Sequence, residues 1–184
     1  MSPRQPTQPK GLDRKTLEDM IDGRLSPAQI KQIISREKDA DRFDQMLAIL
    51  QDRVPWKDPI ILPLTDKLYI VRKAAPPYVV KCRCGHEFGD YRENYKHKSR
   101  VFVRNSEERM QEIYPRLMGA NPRYMELREF YCPGCFSLLE VESVVPGYPV
   151  VFDFLPDLEA LYTDVLGRPL PFGTTMTAPN GLLP

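Results

Sequence analysis

Cys82-Arg83-Cys84-Gly85-His86 and Cys132-Pro133-Gly134-Cys135 hold all four cysteines of the chain, and the stretch that they bracket decides its fold. The two pairs are separated by 47 residues. Close cysteine pairs placed in this way make the pattern of a four-thiolate metal site, each pair on a tight turn and the metal joining the turns. Zinc takes four soft ligands in a tetrahedron at about 2.3 Å, and one or two intervening residues let both sulfurs of a pair face one point. Gly85 and Gly134 give such turns backbone freedom, and Pro133 stiffens the second. The expected ligands are therefore Cys82, Cys84, Cys132 and Cys135, with zinc as the metal. Other readings are two pairs of buried thiols acting as small hydrophobes, a Cys-Pro-Gly-Cys redox pair and an iron–sulfur cluster. His86, two residues past Cys84, is an alternative ligand.

Outward from the cysteines, the flanking segments read as β-structure. Short β-like runs at 60–64, 67–72 and 78–81 lead into the first pair, and 100–103 is a further strand. Residues 124–131 enter the second pair and 138–145 leave it, while Val150–Phe154 reads as one more strand. Between the pairs, Asn105 with Glu108 marks a capped helix to about Tyr114, before Pro115. The metal then ties β-hairpins together, as in a rubredoxin-like or ribbon-like domain with a large helical insertion.

The N-terminal part is helical instead. Asp13 can cap a short helix carrying Leu17, Met20 and Ile21, which Gly23 stops. Ser26-Pro27-Ala28-Gln29 is a capping box with proline in the first turn, opening a helix with Ile30, Ile33 and Ile34. A third helix starts near Asp41 with Phe43, Met46, Leu47 and Leu50 on one face and ends before Pro55. At the other end, Asp157 caps a helix from Leu158 to Leu166, which Gly167 ends. The expected class is α+β: N-terminal short helices, a small β-rich zinc-ribbon or rubredoxin-like domain with a helical insertion, a C-terminal helix and extended arms. The expected divisions are a flexible arm at 1–11, a helical segment at 12–56, the zinc-binding domain at 57–155, and the C-terminal helix and tail at 156–184.

Composition narrows the function. The 26 basic and 25 acidic residues nearly cancel, so no general field draws the chain to nucleic acid or a membrane. No apolar run approaches the ~20 residues of a membrane span, and residues 1–10 lack the apolar core of a secretory signal. With its cysteines spaced for metal, the chain is expected in the cytoplasm. Its 19 prolines are about twice the usual share of ~5%, so much of it must be irregular or extended, as in segments that lie on another subunit. Neither G-x-x-x-x-G-K-[ST] nor G-x-G-x-x-G occurs, and there is no nucleophile elbow or H-E-x-x-H. The sequence thus offers no self-contained catalytic site. One basic cluster, Arg92, Lys96, His97, Lys98, Arg100 and Arg104, is interleaved with Tyr91, Tyr95 and Phe102 and flanked by Asp90, Glu93, Glu107 and Glu108. It reads either as a nucleic-acid surface or as an ordinary solvated or subunit-facing one.

Several blocks carry a family resemblance: Val54-Pro-Trp-Lys-Asp-Pro-Ile-Ile-Leu-Pro-Leu64, Cys82-Arg-Cys-Gly-His-Glu-Phe88, Glu112-Ile-Tyr-Pro-Arg-Leu-Met118, Arg128-Glu-Phe-Tyr-Cys-Pro-Gly-Cys135 and Pro149-Val-Val-Phe-Asp-Phe-Leu-Pro-Asp157. In this order they closely resemble the gamma (small) subunits of bacterial acetone carboxylases, over roughly residues 12–170. The resemblance implies a heterohexamer with two copies each of alpha, beta and gamma subunits. That assembly carboxylates acetone with bicarbonate and ATP, giving acetoacetate, AMP and phosphate. It also implies zinc on this chain, held by the four cysteines in a structural role, with ATP and manganese on the large partner subunits. Catalytic residues are expected on those partners and none here. Related enzymes with a similar small zinc subunit carboxylate acetophenone, and the additions at 1–11 and 171–184 leave that ketone as an alternative. A free-standing zinc ribbon binding nucleic acid or protein, and a thiol oxidoreductase using Cys132 and Cys135, are the readings of other classes.

Overall fold

A computed structural model describes residues 11–74, 78–116 and 118–171. The expected N-terminal arm and most of the C-terminal tail lie outside them. The chain divides into two compact units, Met1–Ile60 and Ile61–Pro184.

The first unit is helical, and its helices begin where side chains can satisfy their free amides. Asp13 accepts from the Thr16 amide at 2.9 Å to cap α1 (Arg14–Ile21), and Gly23 closes the helix at φ +66°. The Ser26–Gln29 capping box is reciprocal at the start of α2 (Pro27–Ile34), with Pro27 in its first turn. Asp41 precedes α3 (Arg42–Asp52) but makes no capping bond; its carboxylate accepts from the Gln45 side chain instead. Leu17 of α1 and Ile49 and Leu50 of α3 are buried. Ion pairs Arg14–Asp52 at 2.8 Å and Arg53–Asp22 at 2.6 Å run between the same two segments. By contrast α2 has no buried residue, and Ile34 is 76% exposed.

The second unit is built on two small antiparallel sheets. The first has the order β1 (Ile60–Pro63), β2 (Leu68–Arg72), β3 (Tyr78–Cys82) and β4 (Glu87–Asp90). β2 is buried except at Arg72, and β3 is buried throughout, Lys81 included, so neither shows the alternation of a half-buried strand. Leu68 opposes Cys82, which fixes the register of the strand that delivers the first cysteine. The second sheet has the order β5 (Arg100–Arg104), β6 (Glu126–Tyr131) and β7 (Leu138–Val144). Phe130 opposes Glu140 and Arg128 opposes Glu142, placing both acids on one face of β7.

The mixed helix and sheet, with small antiparallel sheets around four cysteines, is the α+β ribbon-like class expected. Several elements differ from the sequence reading. β4 is an unpredicted strand; its only fully buried side chain, Phe88, sits between Glu87 and Gly89, too short a pattern to read. The insertion helix α4 spans only Glu107–Gln111 and is capped by Ser106, not Asn105, because the chain leaves helical geometry before Pro115. A 3₁₀ turn at Tyr95–Lys98, capped by Asn94, occupies the basic cluster. Val150–Phe154 forms no strand. Pro149 and Pro156 bracket that segment, and side chains hold it in place of a ladder: Asn94 donates to the Val151 carbonyl at 3.0 Å, and Asp153 pairs with Lys96. The C-terminal helix starts as expected, with α5 (Leu158–Ala160) capped by Asp157, then winds as a π-helical turn over Leu161–Val165. Buried Tyr162 on that turn donates to the Ile61 carbonyl at 2.9 Å.

On the second sheet, Arg104 and Glu129 are both buried and meet at 2.6 Å; Glu129 also accepts from the Tyr131 hydroxyl at 2.6 Å. Burial opposes ionisation of Glu129, but Arg104 and then Tyr131 outweigh it and hold the carboxyl below its usual value. A carboxylate lowered in this way contributes stability above its unfolded pKa and loses it as pH falls through the folded value. Glu129→Gln, which leaves Arg104 with the partly exposed Glu112 as its remaining counter-charge, should therefore cost about 2 kcal/mol at pH 7. Urea unfolding at pH 7 and pH 3.5 checks this: the gap between native and variant proteins should narrow at the lower pH.

Candidate metal centre

Two hairpins, one from each sheet, present the cysteines. In the first, β3 ends on Cys82 and β4 begins at Glu87, leaving Cys84 in the turn. The Cys82 amide donates to the His86 carbonyl at 2.8 Å, and the Gly85 amide returns to the Cys82 carbonyl at 2.8 Å. Gly85 takes φ +105°, where a β-carbon would be strained. In the second hairpin, Cys132 follows β6 and Cys135 lies in the turn before β7. There the Cys132 amide donates to the Ser137 carbonyl at 3.0 Å and the Phe136 amide to the Cys132 carbonyl at 2.9 Å. Phe136 itself occupies the left-handed region at φ +55°, the one non-glycine residue among those described to do so.

The four sulfurs converge, each within 4.8 Å of all the others. Cys82 Sγ lies 3.8 Å from Cys135 Sγ, and Cys84 Sγ lies 3.7 Å from Cys132 Sγ. A tetrahedron with metal–sulfur bonds of ~2.3 Å has edges of ~3.8 Å, so these two separations are those of sulfurs around one zinc ion. No cysteine is joined in a disulfide. The residues present therefore fit a closed four-sulfur metal centre. Cys82 and Cys132 are buried, whereas Cys84 and Cys135 face outward. Around the buried pair, Leu68, Val80, Phe88 and Leu139 form an apolar cluster, so the junction is also packed as core.

The electrostatics divide along the same line. Burial pushes the Cys82 and Cys132 thiols up. At Cys135 burial acts in the same sense but is outweighed by the hydroxyl and amide of Ser137 and by the neighbouring thiols, which bring it down to about 6. The Ser137 hydroxyl oxygen stands 3.3 Å from Cys135 Sγ. Amides of Cys84, Gly134 and Cys135 also point at the buried sulfurs. A coordinated cation deprotonates all such thiols, and these donors then share the negative charge.

His86 does not join the sulfur group. Its ring stacks edge-on against Phe88, with centroids 4.9 Å apart. Its β-carbon packs instead against Gly134, where an added Cβ would lie 3.0 Å from His86 Cβ and 3.5 Å from Cys84 Sγ. The basic cluster is largely neutralised by its own surroundings. Arg92 closes on Asp90 at 2.5 Å, Lys98 on Glu93 at 2.5 Å and Arg104 on Glu129. Arg100 lies over the Phe136 ring, and His97 is exposed.

Lys96 is the unexpected member. Nearly fully buried, it meets Glu140 at 2.9 Å, Glu142 at 2.5 Å and Asp153, with its ammonium 5.6 Å from the Phe130 ring centre. Burial works against its charge, but Asp153, Glu142 and Glu140 outweigh that and keep it protonated. The three carboxylates come from β7 and the segment after it, so the alternation of Glu140 with Glu142 was the only local signal. Nothing in sequence could pair them with a lysine more than 40 residues earlier.

Comparison with known proteins adds a separate line. Residues 54–166 match the family described as acetone carboxylase gamma subunit. Over 159 residues the chain is 45% identical to the acetone carboxylase gamma subunit of Xanthobacter autotrophicus, covering 86% of this chain and 95% of that one. It is also 33% identical over 84 residues to the acetophenone carboxylase beta subunit of Aromatoleum aromaticum, covering 42% of this chain and 62% of that one.

The tight approach of the two turns gives a test of the centre. Gly134→Ala should press the second turn away from His86 and Cys84, and should weaken metal retention against a competing chelator by about 10- to 100-fold, the usual cost of disturbing a ligand's support. His86→Ala should keep the full metal content; its loss there would make His86 a ligand.

Proposed function

The chain belongs to the acetone carboxylase gamma subunit family, and on that premise we propose that it is the zinc-holding small subunit of an ATP-dependent acetone carboxylase. In this reading Cys82, Cys84, Cys132 and Cys135 hold one zinc ion in a closed shell. The assembly converts acetone, bicarbonate and ATP to acetoacetate, AMP and phosphate. The observation that carries the reading is the 45% identity running through 95% of the acetone carboxylase relative, with the four sulfurs at tetrahedral spacing within the matched region.

The role proposed for this chain is assembly. A zinc shell filled by four thiolates has no position for water or substrate, which separates it from a catalytic zinc. The metal would supply cross-linking instead, since structural zinc in small peptides contributes about 10–16 kcal/mol of binding energy to folding. Here it would join two sheets whose strands are four to seven residues long. Nucleotide and manganese would belong to alpha and beta partners, two copies of each subunit completing a heterohexamer in the cytoplasm. Among the described residues, no helix is long and apolar enough to cross a membrane.

The match to an acetophenone carboxylase subunit supports a second reading, in which the assembly carboxylates a related ketone. It differs only in substrate, a choice made by the large subunits. A nucleic-acid-binding ribbon has less support, because ion pairs with neighbouring acids occupy Arg92, Lys96, Lys98 and Arg104.

The test is purification of the native complex with metal analysis, beside a complex carrying Cys132→Ser. The native preparation should contain two large subunits, zinc equimolar with this chain, and ATP turnover that depends on acetone. In the Cys132→Ser preparation zinc should fall below about a tenth of its native content, and this chain should be lost from the complex. Unchanged zinc and assembly in the variant would overturn the structural-zinc role. Turnover with acetophenone but not acetone would select the second reading.

A further inference from the structure

The junction of the 3₁₀ turn, β7 and the segment after it holds a small cleft that the metal centre does not use. It has a volume of about 160 Å³ and is walled by Tyr91, Tyr95, Phe152 and Phe154, with Lys96, Glu140 and Asp153 as its charged lining residues. Small-molecule sites run from about 300 to 1,000 Å³, so this one is on the scale of a single side chain. Four of its lining residues are aromatic, the side chains whose ring faces can attract a desolvated cation.

The charge around it is unbalanced. Among the described residues Lys96 pairs with three carboxylates, Glu140, Glu142 and Asp153, which leaves the cluster two negative charges over; of these groups Lys96, Glu140 and Asp153 line the cleft, a surplus of one there. The Tyr95 hydroxyl donates to Glu140 at 2.5 Å and adds no charge. One oxygen of Glu142 is buried with no hydrogen-bond partner. Arg92, on the neighbouring turn, is already closed on Asp90. A metal ion suits the place poorly, because the Lys96 ammonium stands among the carboxylate oxygens that would ligate it.

The adjoining segment is apolar. Phe154 is 64% exposed, and Tyr148, Val151 and Leu155, near it in sequence, are exposed as well, on a segment that forms no strand. An aromatic-walled cleft with surplus negative charge, next to an exposed apolar segment, has the form of an interface hot spot that takes arginine from a partner. The planar, weakly hydrated guanidinium matches ring faces and a carboxylate together better than an ammonium does. The tail after Pro171 contains no lysine or arginine and cannot supply the cation.

We propose that this cleft receives a basic side chain, arginine in preference to lysine, from another subunit of the carboxylase, with the Tyr148–Leu155 segment packing around it. The assignment rests on the subunit reading above. It places a charge-selective contact on the face carrying the 3₁₀ turn, separate from the zinc centre.

The experiment uses the complete complex. A photo-crosslinking amino acid replaces Phe154, and the cross-linked peptide is identified by mass spectrometry. In parallel, Glu140→Gln with Asp153→Asn removes the charge facing the cleft. The cross-link should fall on a segment of another subunit that contains arginine or lysine. The double variant should leave the complex at least about tenfold more readily, with zinc content unchanged, and its dissociation should depend less on salt. A cross-link to residues 1–10 of the chain itself, which hold Arg4 and Lys10, would overturn the proposal. So would an intact complex with an unreacted probe and a double variant that associates normally. A native chain that binds no other subunit would overturn the subunit reading as well, and so is a distinct result.

Discussion

Four cysteine sulfurs converging within 4.8 Å of one another, two from a hairpin of each sheet, are the contact around which the second unit is arranged. Its two sheets have four and three strands, none longer than seven residues. Sheets of three or four strands need an apolar face packed against something to be stable. The buried cysteines answer this in two ways at once. Cys82 and Cys132 pack as apolar groups with Leu68, Val80, Phe88 and Leu139, and they also aim their sulfurs at a common point. The same residues therefore belong both to the core and to the group of sulfurs that could hold a metal.

Around this junction, charge is handled by enclosure. Lys96, Arg104, Arg128, Glu126 and Glu129 are all buried, an unusual number of ionic groups for so small a unit. Arg104 meets Glu129 and Glu112, while Arg128 meets Glu126 at 2.8 Å. Pairs of this kind are weak sources of net stability but costly to break singly. Lys96 departs from the pattern with three carboxylates around one ammonium. That surplus turns a structural ion cluster into a feature with chemistry left to satisfy.

The unpaired surfaces tell a consistent story about the family. α2 carries three isoleucines with none buried, and the Tyr148–Leu155 segment exposes aromatic and aliphatic side chains while forming no strand. Proline brackets the latter and keeps it from joining an edge of either sheet. Faces of this sort are what a chain presents when part of its hydrophobic surface is completed by other subunits.

Much of this was legible in the sequence because it is written locally. The spacing of the cysteine pairs named the four sulfurs that converge, and glycine beside each pair marked the turns. Capping residues Asp13, Ser26 with Gln29, and Asp157 fixed three helix starts, since a cap is a contact between residues three apart. The order of the family blocks identified the relatives. Other features were settled only by the tertiary structure. Whether Val150–Phe154 would be a strand depended on a neighbour to pair with, which its β-rich composition could not supply. The fate of the basic cluster depended on where distant acids fell: Glu129 pairs with an arginine 25 positions away, and Glu142 with a lysine 46 positions away. Local patterns fix conformation because backbone preferences are local, whereas the sign of a surface and the partners of a charge are set by what folding brings alongside it.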